Sequence, residues 1–147
     1  MNYIKLTTVY ALAILYVAAG ITHFTNPDFF IPLVPPSLIY LEELVFISGF
    51  VEVVMGVMLF FKSSRKLGAM ITIILLLAVF PANIYLYLFD TPRDILNISK
   101  NQALFRLPFQ LPLIIIAYWH SMEKSSKRFS LFCSMIFIPT IIYFITL

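Results

Sequence analysis

The chain has 147 residues, of which 61% are hydrophobic and 12% charged, with a mean hydropathy of +0.97. Soluble domains carry roughly 45–50% apolar and about 25% charged residues, so the composition excludes a disordered protein and runs against a soluble globular one. The net charge of +3 comes from ten Lys and Arg scattered over short loops and helix ends, a pattern of membrane topology signals rather than of nucleic-acid binding.

A spanning helix needs about 20 apolar residues, and five apolar segments stand out: residues 3–21, 43–61, 67–89, 104–119 and 129–147. The first reads as a retained span, since no small-residue cleavage site precedes a polar mature domain. The fourth is short and contains Arg106 and Gln110, and the fifth holds Pro139. The fold expected is all-α, a polytopic membrane helix bundle, because lipid leaves each span to satisfy its own backbone. If the five segments alternate, Lys5, Lys62, Arg65, Lys66, Lys124, Lys127 and Arg128 share one side, and only Arg93 and Lys100 fall in loops on the other. That asymmetry predicts a cytoplasmic amino terminus.

The first outer loop contains Pro27, Pro32, Pro35 and Pro36. This proline density excludes a regular helix across it, yet Phe24, Phe29, Phe30 and Ile31 are too apolar for a free loop. The segment is expected to lie in the outer interface or to fold over the mouth of the bundle. The polar loop over residues 90–102 either caps the same mouth or is mobile.

Polar side chains inside spans are costly and normally face the bundle interior. Glu52 sits mid-span, ~13 Å from the outer end of its helix, with Ser48, Gly49 and Gly56 on its own face. Small residues there permit close helix approach, so Glu52 faces another helix, either as structural glue or as part of a ligand or proton site. Arg106 is its expected counter-ion, with snorkelling to headgroups as the alternative, and Gln110 lies one turn further in. Asn83 follows Pro81, which frees a carbonyl near Leu77 for a side-chain partner; a plain structural amide is the competing reading. His23 ends the first segment as an anchor or as a proton-exchanging group. His120 lies at the opposite end and reads as interfacial, so the two histidines do not share a haem. One cysteine, Cys133, excludes an intramolecular disulfide, and no His/Cys spacing suits zinc. His23, Glu52, Asn83, Arg106 and Gln110 thus come from four segments and converge on the outer half. Tyr10, Tyr16, Phe80, Tyr85, Tyr87 and Phe105 lie in the same spans, and the ensemble reads as a small-molecule site.

Four stretches in this order, AGITHFTNPDFFIPLVPP, ISGFVEVVMGVMLFF with SSRKLGA, FPANIYLYL and LFRLPFQLPLIIIAYW, resemble the DoxX-like small integral membrane proteins over roughly residues 10–120. His23, Pro27, Gly49, Glu52, Arg65, Pro81, Asn83, Arg106, Pro108 and Gln110 are the matching positions. The resemblance implies one membrane domain, residues 1–147, with a four-helix core over 1–122 and an added carboxyl-terminal span over 129–147. It also implies a multi-pass protein of a prokaryotic cell membrane. Members of that family are associated with quinone-linked and thiol-stress oxidoreductase complexes.

The function expected is an accessory subunit of a quinone-linked membrane oxidoreductase. Arg106, Gln110 and Asn83 would bind quinone oxygens, and Glu52 or His23 would exchange protons. The alternatives are an assembly or interaction factor in which the polar cluster is structural, and a small carrier for a lipophilic solute. The partners expected are the bilayer, an oxidoreductase or other membrane protein, and a second copy of the chain. A quinone is the candidate cofactor, with no haem or metal motif and no nucleic acid.

Overall fold

The computed structural model describes residues 3–145, whose regular elements are all helical. Five long helices, α1 (Tyr3–Thr25), α3 (Leu41–Phe60), α4 (Arg65–Leu88), α6 (Lys100–Ser121) and α7 (Lys127–Ile145), alternate with two short ones, α2 (Pro27–Phe30) and α5 (Asp90–Leu96). Each long helix packs beside the next, and α7 returns to α1, so the five close into a ring. Val9, Leu12, Met55, Leu59, Leu113 and Ile116 are buried at its centre. Ile14, Phe50, Ile74, Leu111 and Met135 point outward and are exposed. An apolar outer surface is what a bilayer solvates and water does not. Four helices, α1, α3, α4 and α7 over Lys127–Phe144, are long and apolar enough to cross a membrane. The chain is consistent with a membrane protein on that ground.

The expected segments correspond to the five long helices, with three differences. The first helix runs on to Thr25, four residues beyond the expected end, and His23 lies in its last turn. The fourth begins at Lys100, where the Ser99 hydroxyl accepts the Gln102 amide at 3.2 Å and the Gln102 side chain accepts the Ser99 amide at 2.8 Å. This reciprocal cap nucleates a helix earlier than the apolar pattern alone indicates. That helix, α6, is not among the four apolar enough to span. It keeps Gln110, Trp119 and His120 buried inside the ring, so it needs fewer apolar residues than its neighbours. The last residues of the fifth expected segment, 146–147, lie outside the described residues.

The proline-rich connection does not run as one helix, as expected. Its prolines instead start short turns: Pro27 opens α2, and Pro32 sits early in the 3-10 turn Ile31–Leu33. Proline is tolerated there because the first amides of a helix lack internal acceptors anyway. The polar connection after α4 is an ordered short helix, α5, ended by Asn97 with a φ of 53°.

Two features fix the ring. At the contact between α1 and α3, a Cβ added to Gly20 would lie 2.6 Å from the Gly49 carbonyl oxygen, and one added to Gly56 would lie 3.0 Å from the Ala13 carbonyl oxygen. The two backbones touch, which only glycine permits. Three cations then serve carbonyls that helix ends leave without partners. Arg65 donates to Leu59 and Phe60 at 2.9 and 3.1 Å, Arg93 to Leu86 at 2.9 Å, and Lys5 to Met122 at 2.6 Å. All three are buried.

Candidate functional site

A cavity of about 360 Å³ opens between the helices on the side where α1 ends and α3 begins. Every long helix contributes to its wall: Tyr16 and His23 from α1, Glu52 from α3, Asn83 from α4, Arg106 and Gln110 from α6, and Phe144 from α7. The five residues singled out from the sequence therefore meet around one space. Leu15, Leu76 and Leu113 make much of the remaining wall apolar, and Phe29 and Phe30 of α2 close in from the connection. The proline-rich segment thus folds over the mouth of the bundle, one of its two expected placements.

His23 is the most constrained of the polar groups. Its Nδ1 lies 2.9 Å from the Val45 carbonyl oxygen and 3.1 Å from the Ser48 hydroxyl, and its ring stacks on Phe30 with centroids 3.7 Å apart. A carbonyl only accepts, so Nδ1 carries the proton and donates it. Ser48 in turn donates to the same carbonyl at 2.8 Å. Nε2 is left facing Glu52 Oε2 at 3.5 Å. In a neutral imidazole that nitrogen is an acceptor, and so is a carboxylate. At 3.5 Å the two make no hydrogen bond in this geometry; a proton on either partner removes the repulsion between two facing acceptors. The expected Glu52–Arg106 ion pair does not form among the described residues; Glu52 turns toward α1, where the glycine contact brings His23 within reach.

Asn83 and Gln110 complete one another. The Asn83 amide donates to the Gln110 carbonyl oxygen at 3.2 Å, and the Gln110 amide donates to the Leu76 carbonyl oxygen. Pro81 lacks the N–H that would serve the Leu77 carbonyl, but the carbonyl reached is that of Leu76, one residue before the one expected, and the donor comes from the neighbouring helix.

Three polar atoms on the cavity wall are buried and make no hydrogen bond among the described residues: Tyr16 Oη, Glu52 Oε2 and Arg106 Nε. Such groups are rare in folded proteins, and each costs about 1–3 kcal/mol when left unmet. Unmet polar groups on an apolar-walled space suit an organic molecule with polar atoms at its edge. Among the described residues no three His, Cys, Asp or Glu side chains come together to hold a metal ion.

Sequence reasoning did not place Phe144 at the site, and it gave Phe29 and Phe30 only as members of a segment with two possible placements, not as partners of His23. The stack on His23 depends on how the proline turns fold back, and Phe144 on where α7 returns. Of the six aromatics expected around it, Tyr16 lines the cavity, whereas Phe80 and Phe105 are exposed. His120, expected at the interface, is buried inside the ring, with Nε2 3.0 Å from the Thr8 hydroxyl.

Fold and site together define a helical bundle of membrane-compatible composition with a polar-edged internal cavity. Over residues 12–121 the chain matches the family described as Domain of unknown function (DUF8561), and it belongs to that family. The matched stretch takes in all the cavity residues named above except Phe144. No curated protein and no solved structure matches the chain.

Proposed function

We propose that the chain is a ligand-holding accessory subunit of a quinone-linked membrane oxidoreductase, and that the cavity receives the head of a quinone or a similar flat, oxygen-edged molecule. The observation carrying this reading is the set of three unmet polar atoms, Tyr16 Oη, Glu52 Oε2 and Arg106 Nε, on the wall of one apolar cavity. At about 360 Å³, the space lies at the small end of ligand pockets, which run roughly 300–1,000 Å³. Tyr16 and Arg106 offer hydrogens to ligand oxygens, and the His23–Glu52 pair holds one proton it can pass on. Quinone reduction takes up two electrons and two protons; the oxidoreductase supplies the electrons, and the dyad passes on its one proton and is reprotonated from water at the cavity mouth, twice per turnover, so that the carboxylate is not left bare in a low dielectric. The likeness of the sequence motifs to DoxX-like proteins supports this reading. It favours a four-helix core of α1, α3, α4 and α6 with α7 as an added span, a prokaryotic cell membrane, and a cytoplasmic amino terminus from the Lys and Arg asymmetry.

The self-satisfied Asn83–Gln110–Leu76 chain supports a second reading, an assembly factor in which the polar groups hold the bundle for a partner protein. Gentle purification from the native membrane, followed by mass spectrometry of extracted small molecules and co-purifying proteins, separates the two. The ligand reading expects a stoichiometric aromatic or quinone-type molecule that is depleted in the Glu52→Gln variant. A reproducible protein partner with no such molecule overturns it in favour of assembly.

A further inference from the structure

A second cavity lies at the opposite end of the bundle, where α1 and α7 begin and α6 ends. It measures about 760 Å³ and is lined by Lys5, Lys124 and Lys127, by Ser125 and Ser130, and by one carboxylate, Glu123. The first cavity and its ligand have no part in it.

Lys5 sets this cavity apart from an ordinary basic loop. Its residue is 4% exposed, whereas a solvated surface lysine keeps its head in water. An ammonium has three hydrogens to donate. The Met122 carbonyl oxygen takes one at 2.6 Å, and the Trp119 ring lies 5.4 Å below. No carboxylate pairs with Lys5 among the described residues. A buried cation without a counter-ion is expensive, and here it borders a cavity whose charged lining is otherwise Lys124, Lys127 and the single carboxylate Glu123, a net positive set.

The hydroxyls point to the kind of anion. Ser125 and Ser130 lie 2.7 Å apart, and the Trp119 indole donates to both, at 3.2 and 3.4 Å. With the indole hydrogen supplied from behind, the two hydroxyls share one hydrogen between them and have one left to direct into the cavity. Three ammonium groups and a hydroxyl donor around one space match the several acceptor oxygens of a phosphate. Ile4 and Leu131, both exposed, border the same cavity, and they give an acyl chain an apolar surface to follow.

We propose that this cavity binds a phosphate group, either the headgroup phosphate of an anionic lipid or free inorganic phosphate. Basic pockets between spans commonly hold anionic headgroups.

The test follows thermal unfolding of the full chain in a neutral detergent, titrated with dioctanoyl phosphatidylglycerol, dioctanoyl phosphatidylcholine or inorganic phosphate. The wild type and the surface variant Lys124→Gln/Lys127→Gln are compared. A saturable rise in Tm with phosphatidylglycerol but not phosphatidylcholine, shifted to about tenfold higher concentration in the variant, supports the site with a lipid source. A rise with inorganic phosphate alone, shifted in the same way, supports it with a free-phosphate source. No saturable rise with either anion, or an identical rise in the variant, overturns it. A Lys5→Met variant is expected to lose the rise altogether; if it does not fold, the surface pair still decides.

Discussion

His23 is held in one protonation pattern by backbone that belongs to another helix. The Val45 carbonyl fixes the hydrogen on Nδ1, and that leaves Nε2 to meet Glu52. A Glu52→Gln variant keeps the shape, and its amide donates to Nε2, so the fold is expected to persist with little change in Tm while the mobile proton is lost. Circular dichroism with thermal unfolding checks the first part; collapse of the fold would make the dyad structural instead. Gln110→Ala strips a donor from the Leu76 carbonyl and an acceptor from Asn83. It is expected to cost about 1 kcal/mol, the low end for an unmet buried group, because such bonds inside membrane bundles average roughly 0.6 kcal/mol. Unchanged unfolding would contradict that role. The five polar residues of the site were legible one by one, since an intramembrane Glu, Arg, Asn or Gln is too costly to lie idle. Their pairing was not. The sequence pattern matched Glu52 with Arg106 by charge, whereas its real neighbour is set by a backbone contact that charge does not register. Arg65 and Arg93 were read as loop charges and Lys5 as a charge near the amino end for the same reason, although each turns inward to serve the end of a helix.

At the scale of elements, the α1–α3 contact positions the dyad. Gly49 faces His23 so closely that an added Cβ would overlap the His23 Cβ. Gly49→Ala is therefore expected to push the helices apart at a cost of about 1–3 kcal/mol, the range for overpacking, and to separate His23 from Glu52. Thermal unfolding measures the cost, and a variant as stable as the wild type would refute the close contact. The helices themselves were legible, because long apolar runs specify spans almost regardless of tertiary detail. Their ends were less so. The Ser99–Gln102 cap and the extension of α1 to Thr25 depend on local hydrogen bonds that hydropathy does not weigh. The proline turns were legible as a break in helix but not as the wall that brings Phe30 onto His23.

For the whole molecule, the sequence suggested a core with α7 as an appendage. In the ring, α7 supplies Phe137 to the buried core and Phe144 to the cavity wall. Truncation after residue 122 is expected to lower Tm and open the cavity; retention of full stability would return α7 to the periphery. The orientation is testable in cells by impermeant thiol labelling, with Ser99→Cys expected to label from outside and Ser126→Cys only after permeabilisation. The opposite pattern would reverse the proposed topology. The central claim is that the cavity beside His23 and Glu52 receives an oxygen-edged aromatic ligand. Its most direct test is calorimetric titration of the purified chain with a short-chain quinone. The account predicts saturable one-to-one binding, weakened about tenfold by Glu52→Gln, the loss expected for a single hydrogen bond of ~1.5 kcal/mol. Non-saturating partition that is identical in the wild type and the variant would contradict it.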